Sequence, residues 1–383
     1  MSTFKVEVVK LRIAPHPDAD ALELAHVGGY VAVVRKGEFQ TGDLAVYIPE
    51  GAVVPREVLV RLGLEGKLAG SQKNRVKAVR LRGVLSQGLV GPFKALGIEA
   101  EEGDDVTERL GITKYEPPIP VSMGGEVFNA GREVTLDFDV ENWKAYPDIL
   151  QDGEEVIFTE KLHGTCTLVA ILPYKDAHPE AFGEKQNILI MSKGLGAKGL
   201  AFKNNERNRN NLYVQATRKL VQGIDEFQRP DKSGPPEPRF ILGETFGPGV
   251  QDLTYGKTLG LRVFAIATGY RGDQHYIDFD YTEGVAGAHQ RDPQCNCFWC
   301  WDYVTWCADF FGYETVPVLY RGSFSVAAMR EHTDGKTAMG ADHIREGIVM
   351  VPARERTDPR IGRVCLKSVS AHYLTRKSGT EYN

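Results

Sequence analysis

The first hundred residues constrain the fold most, because they read as short strands, each closed by residues that break regular structure. The runs are Lys5 to Leu11, Leu22 to Val27, Tyr30 to Arg35, Leu44 to Ile48, Asn74 to Leu81 and Gly88 to Val90. Between them stand Pro15-His16-Pro17, Gly28-Gly29, Thr41-Gly42-Asp43 and Pro49-Glu50-Gly51. Only Arg56 to Leu62 reads as helix. Five or so strands of this length predict a small closed β-barrel. In the run from Asn74 the long basic side chains sit first on odd and then on even positions. That change of face predicts a bulge or sharp coil in one strand.

A Pro/Gly-rich stretch from Lys114 to Gly131 then breaks the pattern, which divides the chain into residues 1–120 and 121–383. Regular structure in the second part is expected from near residue 132. It mixes strands (Glu155 to Phe158, Cys166 to Leu172, Ile188 to Met191, Phe240 to Gly243, Arg262 to Ala267, Gly347 to Val351, Arg363 to Lys367) with a helix over residues 211–227. There Leu212, Ala216, Leu220, Ile224 and Phe227 recur at helical spacing. The order is α+β, not regular βαβ alternation. Neither a Gly-x-x-x-x-Gly-Lys-Ser/Thr loop nor a Gly-x-Gly-x-x-Gly turn after a strand occurs, so P-loop and Rossmann sites are excluded.

Hydrophobic residues are 42% and charged residues 25% of the 383, the balance of a folded globular protein, and no apolar run is long enough to span a bilayer. The N-terminus lacks a signal-peptide pattern, so a cytoplasmic protein without membrane contact is expected. The net charge of −5 is unevenly distributed. From Ser71 to Lys94 the bases Lys73, Arg75, Lys77, Arg80, Arg82 and Lys94 run without an Asp or Glu between them, the footprint of either a solvated strand face or a polyanion contact.

Chemistry concentrates in Val156-Ile157-Phe158-Thr159-Glu160-Lys161-Leu162-His163-Gly164-Thr165-Cys166. An apolar strand delivers Lys161 to its end, a Gly turn follows, and a second strand leaves. A lysine so placed can serve as a nucleophile once its ammonium is deprotonated. Downstream, in order, come Ser192-Lys193-Gly194, Ile241-Leu242-Gly243-Glu244, Val263-Phe264-Ala265-Ile266, Glu346-Gly347-Ile348-Val349 and Cys365-Leu366-Lys367-Ser368. This series resembles the motifs of the covalent nucleotidyltransferase superfamily of polynucleotide ligases and capping enzymes. Lys161-Leu162-His163-Gly164 is similar to the RNA ligase 2 branch. Upstream, residues 15–20, 42–51, 86–89 and 114–120 resemble the ATP-dependent RNA ligases of the Deinococcus type, in which an OB-fold precedes the ligase domain.

The resemblance implies an α+β chain, an OB-fold barrel followed by a nucleotidyltransferase domain of antiparallel sheets plus helices. It implies that Lys161 takes AMP from ATP and passes it to an RNA 5′-phosphate, from which a 3′-OH displaces it. Each step is an in-line displacement at phosphorus that needs positioning and charge neutralisation. Glu346 matches the carboxylate that meets Mg²⁺ or Mn²⁺ through water, Glu244 the acid that holds the ribose, and Phe264 the aromatic stacked on adenine. Glu160 and His163 flank the nucleophile, and Lys193 and Lys367 stand where the family places phosphate-binding cations. Lys367 and a metal are expected to activate Lys161 by disfavouring its ammonium form. Ala265, Cys365 and Val351 depart from the pattern, replacing an acid, a lysine and a basic residue of relatives. The partner implied is nicked duplex RNA, held by Lys73, Arg75, Lys77, Arg80 and Arg82 of the barrel, and a monomer is expected.

His289, Cys295, Cys297 and Cys300 form a His-x5-Cys-x-Cys-x2-Cys cluster that could hold a structural Zn²⁺; unliganded thiols are the alternative. Two other functional readings remain open at this level. One is another nucleotidyltransferase, a DNA ligase or capping guanylyltransferase; the other is a non-catalytic OB-fold RNA-binding protein.

Overall fold

The computed structural model describes residues 4–227, 237–271, 298–376 and 379. Its first strand bends at Leu11, which divides it into Glu7–Lys10 and Arg12–Pro15. The first half pairs with Leu44–Ile48; the second pairs with Leu22–Val27, which pairs in turn with Tyr30–Arg35. Leu44–Ile48 also pairs with Leu89–Gly91. The ring closes where the Gln87 amide donates to the Val31 carbonyl and the Val33 amide to the Ser86 hydroxyl. Closure leaves no long free edge. Val8, Ala25, Val34, Val46 and Tyr47 are buried along these strands. This is the OB-type barrel expected.

One expected strand does not form. Of residues 74–81 only Val79–Leu81 is strand. It makes a hairpin with Val84–Ser86 across Arg82 and Gly83, at φ 46° and 87°, a two-residue turn whose twist suits antiparallel strands. Residues 74–76 instead bond to the segment 51–54, which holds the short strand Ala52–Val53: the Gly51 and Val54 amides donate to the Val76 and Asn74 carbonyls, and the Val76 amide donates to the Ala52 carbonyl. Val76 is thereby packed with Ala52, Val54 and Leu59. The change of face in the basic run thus comes from a break and a hairpin, not from a bulge in one strand.

Regular structure in the second part begins before the expected residue 132. The Leu212 amide donates to the Ser122 carbonyl, and Val127–Asn129 pairs with Leu200–Phe202. Two antiparallel sheets follow. One runs in the order Leu366–Val369, Gly347–Pro352, Glu155–Lys161, Val318–Ser323, with the short strand Glu141–Asn142 added in parallel on its outer side. The other runs Ile188–Ser192, Thr165–Ile171, Arg239–Phe246, Gly260–Thr268. The helix Leu212–Phe227 packs Leu212, Leu220 and Ile224 in one core with Ile241 and Val263, leaving Gln215, Arg218 and Lys219 outside.

Glu155–Lys161 and Thr165–Ile171 belong to different sheets yet are joined only by Leu162-His163-Gly164. That short crossing brings the ends of two interior strands, one from each sheet, together at Lys161. A Cβ on Gly164 would overlap the Thr245 carbonyl oxygen and come within 2.9 Å of Glu244 Cγ, so only glycine allows the approach.

Candidate active site

Strand register assembles the site. Lys161 lies opposite Gly347, so Glu346 stands beside it, and Thr159 lies opposite Val349, whose other neighbour is Lys367. Across the crossing, Cys166 lies opposite Glu244. A register shift after Leu242 sets Phe264 out of step with its partner strand and turns it toward the same space. Glu160, Lys161, Lys193, Glu244, Phe264 and Lys367 accordingly line one cavity of about 230 Å³. Sequence reading missed several of its walls: Phe138, Val140, Trp301, Val316 and Arg363. Among these, Phe138 lies 6.4 Å from Phe264 between ring centroids.

At the centre Lys161 Nζ is 2.6 Å from Glu346 Oε1. Burial favours the neutral amine, but the Glu346 and Glu244 carboxylates outweigh it and raise the Lys161 pKa. The expected activation is therefore absent from this state, since the lysine is held as an ammonium. The two carboxylates diverge. Burial pushes Glu244 up to about 8 despite the Lys161 charge, whereas Lys161 and His163 overcome the same burial at Glu346 and hold it at about 2. Lys367 is half-buried; desolvation and the facing charges of Lys161 and Lys193 push it down to about 8.

Glu160 is anchored rather than free: it accepts from the Thr337 hydroxyl at 2.5 Å and from the Ala338 amide at 2.6 Å. Lys193 pairs with Asp139 at the start of a short helix, Lys193–Lys198, capped by Ser192. His163 does not line the cavity. Its Nε2 lies 2.8 Å from Asp252 and its Nδ1 2.7 Å from the Tyr373 hydroxyl, with Glu346 Oε2 at 3.7 Å. Its backbone amide donates to the Tyr255 hydroxyl. His163 thus backs Glu346 from behind. Asp252, Tyr255 and Tyr373 lie 89, 92 and 210 residues from it, and no local pattern announced them.

The basic run does not form one stripe. The Arg75 guanidinium stacks 3.5 Å from the centroid of Tyr115, Lys77 is half-buried, and Lys73, Arg80 and Arg82 are exposed. Arg80 donates across its hairpin to Gly83. Of the proposed zinc ligands, His289, Cys295 and Cys297 lie outside the described residues; Cys300 is half-buried ahead of the helix Trp301–Phe310. Among the described residues no group of three or more His, Cys, Asp or Glu is placed to hold a metal, and no helix is long and apolar enough to cross a membrane.

Comparison with known proteins gives the family. Structures of Naegleria gruberi RNA ligase share the fold. The form with PPi is 24% identical, covers 97% of this chain and 98% of its own, and has a TM-score of 0.72. One mutant form with ATP and Mn is 22% identical (96% and 98% covered, TM-score 0.70), and another with AMP and Mn is 23% identical (97% and 98%, 0.71). No curated protein matches in sequence. An OB-fold domain model matches residues 5–93. The model described as RNA ligase matches residues 154–369, a span that holds every residue around Lys161 named by the motif series and takes in more than half of the chain. The protein therefore belongs to the RNA ligase family of covalent nucleotidyltransferases.

Proposed function

We propose that the protein is an ATP-dependent RNA ligase that joins 3′-OH and 5′-phosphate ends at nicks in duplex RNA, with Lys161 as the residue that carries AMP. One observation carries the reading: a half-buried lysine at a sheet crossing, 2.6 Å from the Glu346 carboxylate, in a cavity that adds Glu160 and Glu244, two more lysines and the rings of Phe138, Phe264 and Trp301. The neutral Lys161 amine attacks the α-phosphorus of ATP, forming a P–N bond as the P–O bond to pyrophosphate breaks. An RNA 5′-phosphate oxygen then takes the AMP and frees Lys161. Attack by a 3′-OH expels AMP and closes the phosphodiester.

The chain's own groups fit these steps. Phe264 and Phe138 offer faces to the base, and Glu244, whose pKa burial raises, accepts from ribose hydroxyls and donates to them when protonated. Lys193 and Lys367 neutralise phosphate oxygens. Glu160 ties the end of the Lys161 strand to residues 337–338. The donor set suits a divalent ion that keeps most of its water: Glu346 would hold Mg²⁺ or Mn²⁺ through water beside the phosphates, and the ion supplies further charge neutralisation there. Glu346, once engaged in that way, leaves Lys161 facing Lys193 and Lys367, whose charges favour its neutral form. The relatives crystallised with ATP and Mn support this choice of nucleotide and metal class.

Lys161-Leu162-His163-Gly164 supports the RNA ligase 2 branch and the upstream segments 15–20, 42–51, 86–89 and 114–120 the Deinococcus type; a role in RNA repair as a cytoplasmic monomer belongs to the same proposal. Zinc at His289, Cys295, Cys297 and Cys300 is part of the proposal and is read by metal analysis of the purified chain. The central test is intact mass after incubation with ATP and Mg²⁺: one AMP is gained, and Lys161→Ala gains none. Labelling that persists in that variant, or GMP in place of AMP, overturns the reading.

A further inference from the structure

A second groove, of about 680 Å³, lies outside the nucleotide cavity. The helix Leu212–Phe227 walls it on one side; the edge strand Gly260–Thr268 and residues 312–314 wall it on the other. Four cations line it, Arg209, Arg218, Lys219 and Arg262, against the single carboxylate of Glu314. Arg209 and Arg262 are paired with Glu206 and Glu314. Arg218 and Lys219 are exposed and have no hydrogen-bond or ion-pair partner among the described residues. Three and four positions on from Gln215, they share one helix face with it. In a chain of net charge −5, this is a concentrated positive field in a concave surface.

The groove adjoins the nucleotide cavity. Arg262, at its inner wall, lies directly opposite Glu244. Residues 314–316 run along the same edge strand, with Val263 donating to Glu314 and Val316 donating to Val263. Glu314 faces the groove and Val316 faces the cavity. Two residues of strand span only roughly 6.5 Å, so the groove and the nucleotide cavity share one wall.

We infer that this groove takes the sugar–phosphate backbone of the RNA whose end is adenylated, with Arg218 and Lys219 on phosphates and Arg262 at the inner end. The inference rests on the ligase reading and adds where the substrate lies. Charge complementarity selects the occupant, since RNA is the polyanion on which this family acts and the unpaired cations Arg218 and Lys219 stand side by side in a groove whose wall continues into the wall of the nucleotide cavity. The barrel's basic run, with Arg75 committed to Tyr115, is then a partial contact and not the whole track.

The test uses the full chain with Arg218→Glu and Lys219→Glu, and two assays. With ATP and Mg²⁺ alone, lysyl-AMP should form at the wild-type rate. With a preadenylated nicked RNA duplex at subsaturating concentration, sealing should fall at least tenfold. The slope of log Kd against log salt should flatten by roughly 1.4 to 1.8, the sum for two lost phosphate contacts. The milder pair Arg218→Gln and Lys219→Gln guards against a folding defect and should show the same pattern at smaller size. Wild-type sealing and salt slope in both pairs overturn the inference, as does loss of lysyl-AMP formation in the milder pair. Absence of lysyl-AMP in the unmodified chain sinks the ligase reading instead.

Discussion

Two half-buried carboxyls flank Lys161; its charge lowers the pKa of both, but desolvation wins at Glu244 and loses at Glu346, which makes them separable by pH. Glu244 is raised to about 8 by burial, so its contribution to stability is complete below its ordinary pKa of about 4.5 and is lost as pH rises through 8. Glu346 is held at about 2, so its contribution is present above about 4.5 and lost as pH falls toward 2. Glu244→Gln should therefore flatten the decline of Tm between about pH 5 and pH 8.5 while weakening nucleotide binding; equal slopes in the two proteins would show that Glu244 ionises normally. Glu346→Ala should slow adenylation by roughly 10²-fold, the usual cost of one charge contact made in the transition state. A wild-type rate across a Mg²⁺ titration would remove Glu346 from the chemistry. Tyr373→Phe, which frees His163 Nδ1 at the back of Glu346, should cost less and should act on rate more than on the KM for ATP.

At the scale of elements, the crossing of the sheets depends on Gly164. Gly164→Ala forces a methyl group against the Thr245 carbonyl, and should lower both Tm and adenylation together; a stable, active variant would show that the two strands can spread without moving Lys161. The elements that were legible are those with their own punctuation. Leu22–Val27, Tyr30–Arg35 and Leu44–Ile48 fall where Gly, Pro and Asp mark their ends, and Glu155–Lys161 is announced by the apolar run Val156-Ile157-Phe158, although the structure carries it three residues further than Phe158. Illegible elements take their conformation from distant partners. Residues 74–78 look like a strand, but Val76 is drawn to the short strand Ala52–Val53. Val318–Ser323, missed altogether, is a half-exposed outer strand paired to the Lys161 strand. The same holds within the site. Motif residues could be read in order along the chain, whereas Asp252, Tyr373 and Phe138 belong to it only through folding, and the tie of Lys161 to Glu346 depends on register between strands almost two hundred residues apart.

At the scale of the whole molecule, the barrel touches the nucleotide domain through a contact that leads to the active site. The Gly29 amide donates to the Lys144 carbonyl at 2.7 Å. The Lys144 ammonium bonds Gln87, which donates in turn to Glu50. Lys144 belongs to a single helical turn, Trp143–Ala145, that directly follows Glu141–Asn142, and Asn142 lies beside Lys367 in parallel register. One strand pairing therefore separates the docking surface from a lysine of the cavity. A Cβ at Gly29 would come within 2.8 Å of Lys144 Cα, closer than the backbone on either side can yield without moving. Gly29→Val should thus loosen the barrel from the nucleotide domain without touching either core. Deletion of residues 1–120 removes the barrel entirely but leaves every group around Lys161 in place. Both variants should still form lysyl-AMP from ATP, and both should be defective in sealing a preadenylated nick, the deletion more severely. If the deletion seals at the wild-type rate, the barrel takes no part in holding RNA. If Gly29→Val abolishes lysyl-AMP formation while the deletion retains it, the docked barrel governs Lys367 through the Asn142 strand instead of serving as an RNA clamp.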